Sequence, residues 1–158
     1  SPGAPAPAAA GEARGNALLD TGCSLLMFDA GTHAALAAAL ARVDPAFPGW
    51  IQRSYAQLAQ GRGLPADSLD LRHWPDLHLV LEAPGGRDTE LRLTPSQQWA
   101  HDAPGPGQCL CLLAPPPAHF RERSLLGLPV FAGRYVVFDR SAGGGLGVVR
   151  FAHRREPG

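Results

Sequence analysis

The sequence predicts a mainly β chain with minor helices, and three observations carry that prediction. Leu77, Leu79 and Leu81 alternate with His78, Val80 and Glu82, and Leu91 and Leu93 flank Arg92, the period of two that half-buried strands require. Further short apolar runs lie at 16–19, 25–28, 109–113, 130–139 and 146–151, divided by clusters of Gly, Pro, Asp and Ser. Helical spacing shows in two stretches alone. Strands that outnumber helices and are joined mainly by turns make a mainly β domain.

Along the chain, residues 1–15 are chiefly Pro, Ala and Gly with few large apolar side chains, so they read as a linker or flexible N-terminal segment. Asn16 to Leu19 is a short buried strand that delivers Asp20, and Leu25 to Phe28 is the strand leaving the loop after it. From Thr32 onward Leu36, Leu40 and Val43 recur at helical intervals, with Thr32 as a candidate N-cap and Pro45 as a stop. Phe47 to Leu58, carrying Trp50, Ile51 and Tyr55, suits a second amphipathic helix, and Gly61 to Pro65 breaks it. The alternating strands around 77–82 and 91–93 flank the turn Ala83 to Asp88 and so form a hairpin. Cys109 to Leu113 is a further strand ended by Pro115-Pro116-Pro117, Val130 to Asp139 is another, Ser141 to Gly145 turns the chain, and Leu146 to Phe151 closes the order.

A chain of 158 residues with 45% hydrophobic content fits one domain, or one lobe of a larger protein. Fourteen basic and fourteen acidic residues leave a formal net charge of zero, which argues against a nucleic-acid-binding surface. Every basic residue is Arg, so Schiff-base lysine chemistry is excluded. No run reaches the roughly 18 apolar residues of a spanning helix, so no membrane span is expected. The N-terminus lacks a basic-then-apolar signal pattern, and any targeting segment was removed or lies upstream. Three cysteines leave at least one unpaired within the chain, and Cys109 and Cys111 are placed poorly for a disulfide with each other. The six histidines show no metal-ligand spacing, Gly143 to Gly147 is followed by no Gly-Lys-Ser/Thr, and Ser24 has no Gly-x-Ser-x-Gly elbow. Neither metal nor cofactor is expected.

The candidate site is Asp20-Thr21-Gly22-Cys23-Ser24, set directly behind the apolar Ala17-Leu18-Leu19. Burying an unpaired carboxylate costs on the order of several kcal/mol, so an acid at the end of a buried strand, followed by a Gly turn, marks a site rather than a core position. Downstream follow Trp74-Pro75-Asp76-Leu77, then Leu91-Arg92-Leu93-Thr94-Pro95 and Trp99, then Leu125-Leu126-Gly127, and finally Phe138-Asp139-Arg140, Gly147 and Phe151-Ala152. In this order, from about Asn16 to His153, the chain resembles the C-terminal lobe of the pepsin-like aspartic proteases.

That resemblance implies a single lobe of a bilobal fold over 16–153 with a tail at 154–158. It implies an endopeptidase in which Asp20 is one of two carboxylates that share a proton and a water, the second coming from an N-terminal lobe or another chain, with a polypeptide as substrate. Thr21 corresponds to the threonine that braces the two active-site turns, and Gly22 permits close backbone approach. Cys23 departs from the family's Thr or Ser, whose hydroxyl bonds the catalytic carboxylate; a thiol is the weaker donor. Leu125-Leu126-Gly127 matches the element beneath the catalytic loop, and Asp139-Arg140 a structural turn. The lobe's usual disulfide lacks a partner here, since no Cys lies between Cys23 and Cys109. The family's compartments are secretory, lysosomal or vacuolar. Two alternatives stay open: a catalytically inactive module of the same fold serving as a binding or structural subunit, and a homodimeric retroviral-type protease with one Asp per subunit.

Overall fold

The computed structural model describes residues 17–83, 86–115, 123–145 and 147–154. The readings made for residues 1–15, Asn16, Pro84-Gly85, Pro116-Pro117, Leu146 and the tail from 155 lie outside the described residues. Among the described residues eleven strands and three α-helices alternate with short 3₁₀ turns, so the chain is mainly β with minor helices.

Four sheets make up the fold. The largest contains β1 (Ala17–Leu19), β2 (Leu26–Met27), β8 (Leu113–Ala114) and β9 (Ser124–Leu126) in the order β1-β9-β2-β8. In register, β9 runs parallel to β1, with Leu19 opposite Leu126, and antiparallel to β2, with Leu26 opposite Leu126. Strand β9 therefore lies between β1 and β2, which are joined only by residues 20–25 and do not pair with each other. Leu26, Leu113 and Leu126 are fully or almost fully buried, and their removal from water holds this sheet to the core.

Helix α1 (Ala30–Val43) follows β2. Its N-cap is Asp29 rather than the expected Thr32: the Asp29 carboxylate accepts both the Thr32 N–H (2.9 Å) and the Thr32 hydroxyl (2.6 Å). A carboxylate outcompetes a hydroxyl here because it takes two donors at once and lies at the positive end of the helix dipole. It takes a third from the Ser124 hydroxyl (2.9 Å), which ties the start of β9 to the start of α1. Asp44 closes the helix through its N–H to the Leu40 carbonyl, one residue before Pro45. Helix α2 (Phe47–Leu58) has the predicted bounds, with Pro48 in its first turn and Phe47, Ile51 and Ser54 buried.

After the two-residue β3 (Leu64–Pro65), the hairpin of β4 (Leu77–Ala83) and β5 (Arg87–Leu93) pairs all seven residues of each strand, further into the turn than predicted. Leu91 and Leu93 are buried while His78, Glu82, Glu90 and Arg92 face water, the alternation that fixes the register.

Helix α3 (Pro95–Gln98) leads into β6 (Trp99–His101), which with β3 flanks β7 (Gln108–Cys111) in a three-stranded sheet. The single strand expected at 109–113 is thus two, β7 and β8, in different sheets. Leu112 is the switch: its N–H bonds the Gln98 carbonyl (2.8 Å) and its carbonyl accepts the Leu26 N–H (2.7 Å). Cys109 and Cys111 both face the core as free thiols, and burial pushes Cys111 up to about 12.

The strand expected from Val130 instead starts four residues later, as β10 (Arg134–Asp139). Leu128–Val130 is a 3₁₀ turn, because Pro129 has no N–H for a ladder and Gly133 turns the chain at φ 72°. Strand β10 pairs with β11 (Val148–His153) as a two-stranded hairpin. Its turn is organised by Asp139, which accepts the Ser141 N–H (3.0 Å) and hydroxyl (2.7 Å) on one oxygen and Arg150 (2.7 Å) on the other. The structural role expected of Asp139 therefore rests on Arg150.

Phe47, Trp74 and Trp99 stack at the centre of the core, Trp74 meeting Trp99 edge to face at 5.2 Å. The buried Gln98 joins three segments: its carbonyl accepts the Trp74 indole N–H (2.9 Å), and its amide donates to the Pro75 (3.0 Å) and Leu93 (2.9 Å) carbonyls. Among the described residues no helix is long and apolar enough to cross a membrane.

Candidate active site

Asp20 stands at the C-terminal end of β1, which is not the buried strand expected: Ala17 and Leu18 are exposed and Leu19 is half-buried, because β1 is the outer strand of its sheet. Its N–H still bonds the Leu126 carbonyl (3.1 Å), so the residue is anchored to β9 as the loop begins. The loop is a tight turn closed by the Cys23 N–H on the Asp20 carbonyl (3.3 Å). Inside it, the Gly22 N–H donates to Asp20 Oδ1 (2.8 Å). A Cβ at Gly22 would sit 3.2 Å from that same oxygen, so glycine is what lets the carboxylate fold back onto the turn.

Beneath the loop β9 runs on into Gly127 and Leu128. The Gly127 N–H bonds the Leu25 carbonyl (3.0 Å) and the Leu128 N–H bonds the Cys23 carbonyl (2.7 Å), two rungs that fasten the returning half of the loop. A Cβ at Gly127 would collide with both of those carbonyl oxygens. Position 127 accordingly requires glycine for space and not for its dihedral angles. The sequence flagged Leu125-Leu126-Gly127 as a supporting element, and the fold puts it under residues 20–25.

The five residues singled out in the sequence differ in environment. Asp20 and Cys23 are half-buried, while Thr21, Gly22 and Ser24 are exposed. Among the described residues the Asp20 carboxylate makes no ion pair and accepts one hydrogen bond, that of Gly22, on Oδ1. Cys23 does not bond Asp20. Its sulfur accepts the Leu25 N–H (3.4 Å) and its S–H donates to the Leu25 carbonyl (3.6 Å), a local closure two residues away. Among the described residues neither the Thr21 nor the Ser24 hydroxyl has a hydrogen-bond partner.

Two supports of the site escaped sequence reasoning. One is the bond of Ser124 to Asp29, which fixes the start of β9; Asp29 with Thr32 three residues on was a readable capping pair, whereas nothing local marked Ser124. The donors from Thr32 and Ser124 hold the Asp29 carboxyl below the usual carboxylate range. The other is Tyr55 on α2, whose hydroxyl donates to the Cys111 carbonyl (3.0 Å) and, by burial, is driven far above the ordinary phenol range. It ties α2 to the end of β7.

Two exposed apolar side chains flank the loop. Leu18 on β1 and Leu128 after Gly127 are 50% and 46% exposed. On the separate hairpin, Tyr135 and Val137 share one face of β10 at 62% and 54% exposure, and neither outer edge of β10 or β11 is paired among the described residues. Chemically, then, the site offers one carboxylate with a single hydrogen bond on a braced loop, with Leu18 and Leu128 exposed on the strands that hold it. No family model matches the sequence, and a search of curated proteins finds no match.

Proposed function

We propose that the chain is one lobe of a pepsin-like aspartic endopeptidase, in which Asp20 provides one of the two carboxylates. The observation that carries this reading is the threading of β9 between β1 and β2, with Gly127 pressed against the Cys23 and Leu25 carbonyls. That threading presents the Asp20 carboxylate on a rigid turn with one oxygen uncommitted. Two carboxylates brought within a few ångströms cannot both ionise. One keeps the shared proton and polarises the scissile carbonyl; the other removes a proton from the attacking water. Asp20 serves in either role, and the second acid comes from the partner.

The surface supports a partner. A two-stranded sheet is marginal by itself, and β10–β11 has edges unpaired among the described residues and exposes Tyr135 and Val137, so it is suited to extension by strands of another lobe.

The test is hydrolysis of an internally quenched peptide at acidic pH by the chain assembled with a pepsin-type N-terminal lobe. Cleavage blocked by a statine-type transition-state mimic and abolished by Asp20→Asn is expected. Absence of cleavage by the folded assembly, or unchanged cleavage by Asp20→Asn, refutes the proposal.

A second reading, a non-catalytic module of the same fold, is favoured by the thiol of Cys23, which spends its hydrogen bonds on Leu25 and leaves Asp20 with one donor. Cys23→Thr separates the two. It raises turnover if Asp20 is catalytic and changes nothing measurable if the lobe only binds.

A further inference from the structure

A trench of about 320 Å³ runs between α1 and β4, alongside β1 and β9. One wall is a single face of the helix, with Ala35, Leu36 and Ala39, and the floor is Phe28 and Leu126. The other wall takes every residue from Leu77 to Leu81. Successive side chains of a strand point to opposite faces, so a wall built from both parities is the edge of β4 and not a face. That edge has no partner among the described residues, since β4 pairs on its other side with β5 alone. The trench therefore combines an unpaired row of backbone donors and acceptors with aliphatic walls, the two elements of strand addition.

Hydrogen bonding and charge narrow the occupant. An extended segment can offer its N–H and C=O groups to the open edge of β4, whereas a helix spends its own on internal bonds. No acidic or Arg side chain lines it, and its one titratable group, His78, is held by Glu90 at 2.5 Å. A charged segment would give up hydration with nothing to pair against, so the complementary segment is uncharged. Residues 1–16 contain no large apolar side chain to fill it.

We propose that the trench accepts an uncharged, extended, aliphatic strand of another chain, which adds to the outer edge of β4. The probe is an acetylated peptide of alternating valine and threonine with one arginine at each end, added to the full chain and followed by amide hydrogen exchange. Exchange slowed at least tenfold is expected at those amides of His78 to Leu81 that point away from β5, equally in Asp20→Asn, which makes the result independent of catalysis. Ala39→Arg, which fills the trench from α1, is expected to weaken binding at least tenfold. The same peptide N-methylated at alternate amides tests the edge without altering the protein, and is expected not to bind. Three results overturn the proposal: no protection by the peptide, equal binding of the N-methylated peptide, or β4 protection already present in the full chain and lost on deleting residues 1–16.

Discussion

Replacing Gly127 by Ala is the sharpest test of the threaded arrangement, because the added methyl has nowhere to go. The Cβ would overlap the carbonyl oxygens of both Cys23 and Leu25, and these are backbone atoms that no rotamer change can move. Relief requires β9 and the loop to part, which stretches the bonds from Gly127 to Leu25 (3.0 Å) and from Leu128 to Cys23 (2.7 Å). Overpacking of this kind costs about 1–3 kcal/mol, and two weakened hydrogen bonds add about 1 kcal/mol each, for roughly 3–5 kcal/mol in all. Against a total stability of about 5–15 kcal/mol, that is a large fraction. At about 2–4 °C per kcal/mol for a domain of this size, a melting temperature lowered by roughly 6–20 °C follows. Gly49 is the control: it lies in α2, and a Cβ there meets nothing within 4 Å. Gly49→Ala should stabilise by about 0.5–1 kcal/mol through helix propensity and a less flexible unfolded chain. Thermal and urea unfolding followed by circular dichroism read both variants. If Gly127→Ala unfolds within 2 °C of the parent, β9 does not pass beneath the loop as described.

The remaining predictions concern the core and the pH dependence. Gln98→Leu removes a buried group that satisfies the Trp74 indole and the Pro75 and Leu93 carbonyls, so a loss of about 3 kcal/mol or more is expected from its urea midpoint. Ser54→Ala strands the buried Cys111 N–H that now donates to the Ser54 hydroxyl (2.9 Å), and should cost about 1–3 kcal/mol in the same measurement. Lowering the pH should destabilise the fold in two steps. His33, lowered by desolvation, resists a proton that the unfolded chain accepts near pH 6.5, so stability starts to fall there. Asp29, Asp70 and Asp139 are lowered by their donors, Asp139 to about 2 through Ser141 and Arg150, so the unfolded chain binds protons first between about pH 4 and pH 2 and stability falls again. Urea midpoints should decrease in the order pH 7, 5, 3; a midpoint higher at pH 3 than at pH 5 contradicts these assignments.

What could be read from the sequence was what depends on near neighbours. The β4–β5 hairpin, the full extent of α2 and the Asp20 turn follow from alternation, from 3.6-residue spacing and from a Gly beside an acid, all local signals. Strand β9 could be seen as apolar, but not that it slots between β1 and β2, because its partners lie about a hundred residues away and each contributes only two or three residues to the pairing. The division of 109–113 was hidden for a similar reason: Leu112 looks like any other strand residue, and what breaks the strand is the distant Gln98 and Leu26 backbones. At α1 the cap was misplaced by weighing Thr32 alone, without the carboxylate at Asp29 that binds its hydroxyl. The late start of β10 was readable in Pro129 and Gly133, both of which interrupt a ladder.

Among the described residues nothing pairs with a charge at position 20. The loop is held by backbone bonds from Asp20, Cys23, Gly127 and Leu128, and the carboxylate adds one hydrogen bond to it, from Gly22. Asn would accept that bond equally and is as favourable in a turn. Asp20→Asn should therefore leave stability within about 0.5 kcal/mol of the parent, the range of a surface substitution. Gly127 behaves in the opposite way, since a side chain there disturbs the fold and the loop together. The two positions thus separate presentation from chemistry: Gly127 is explained by packing, whereas packing leaves the acid at Asp20 unexplained. If Asp20→Asn keeps the parent's stability, the fold gives the acid no role, and the hydrolysis assay decides whether the proposed one is right.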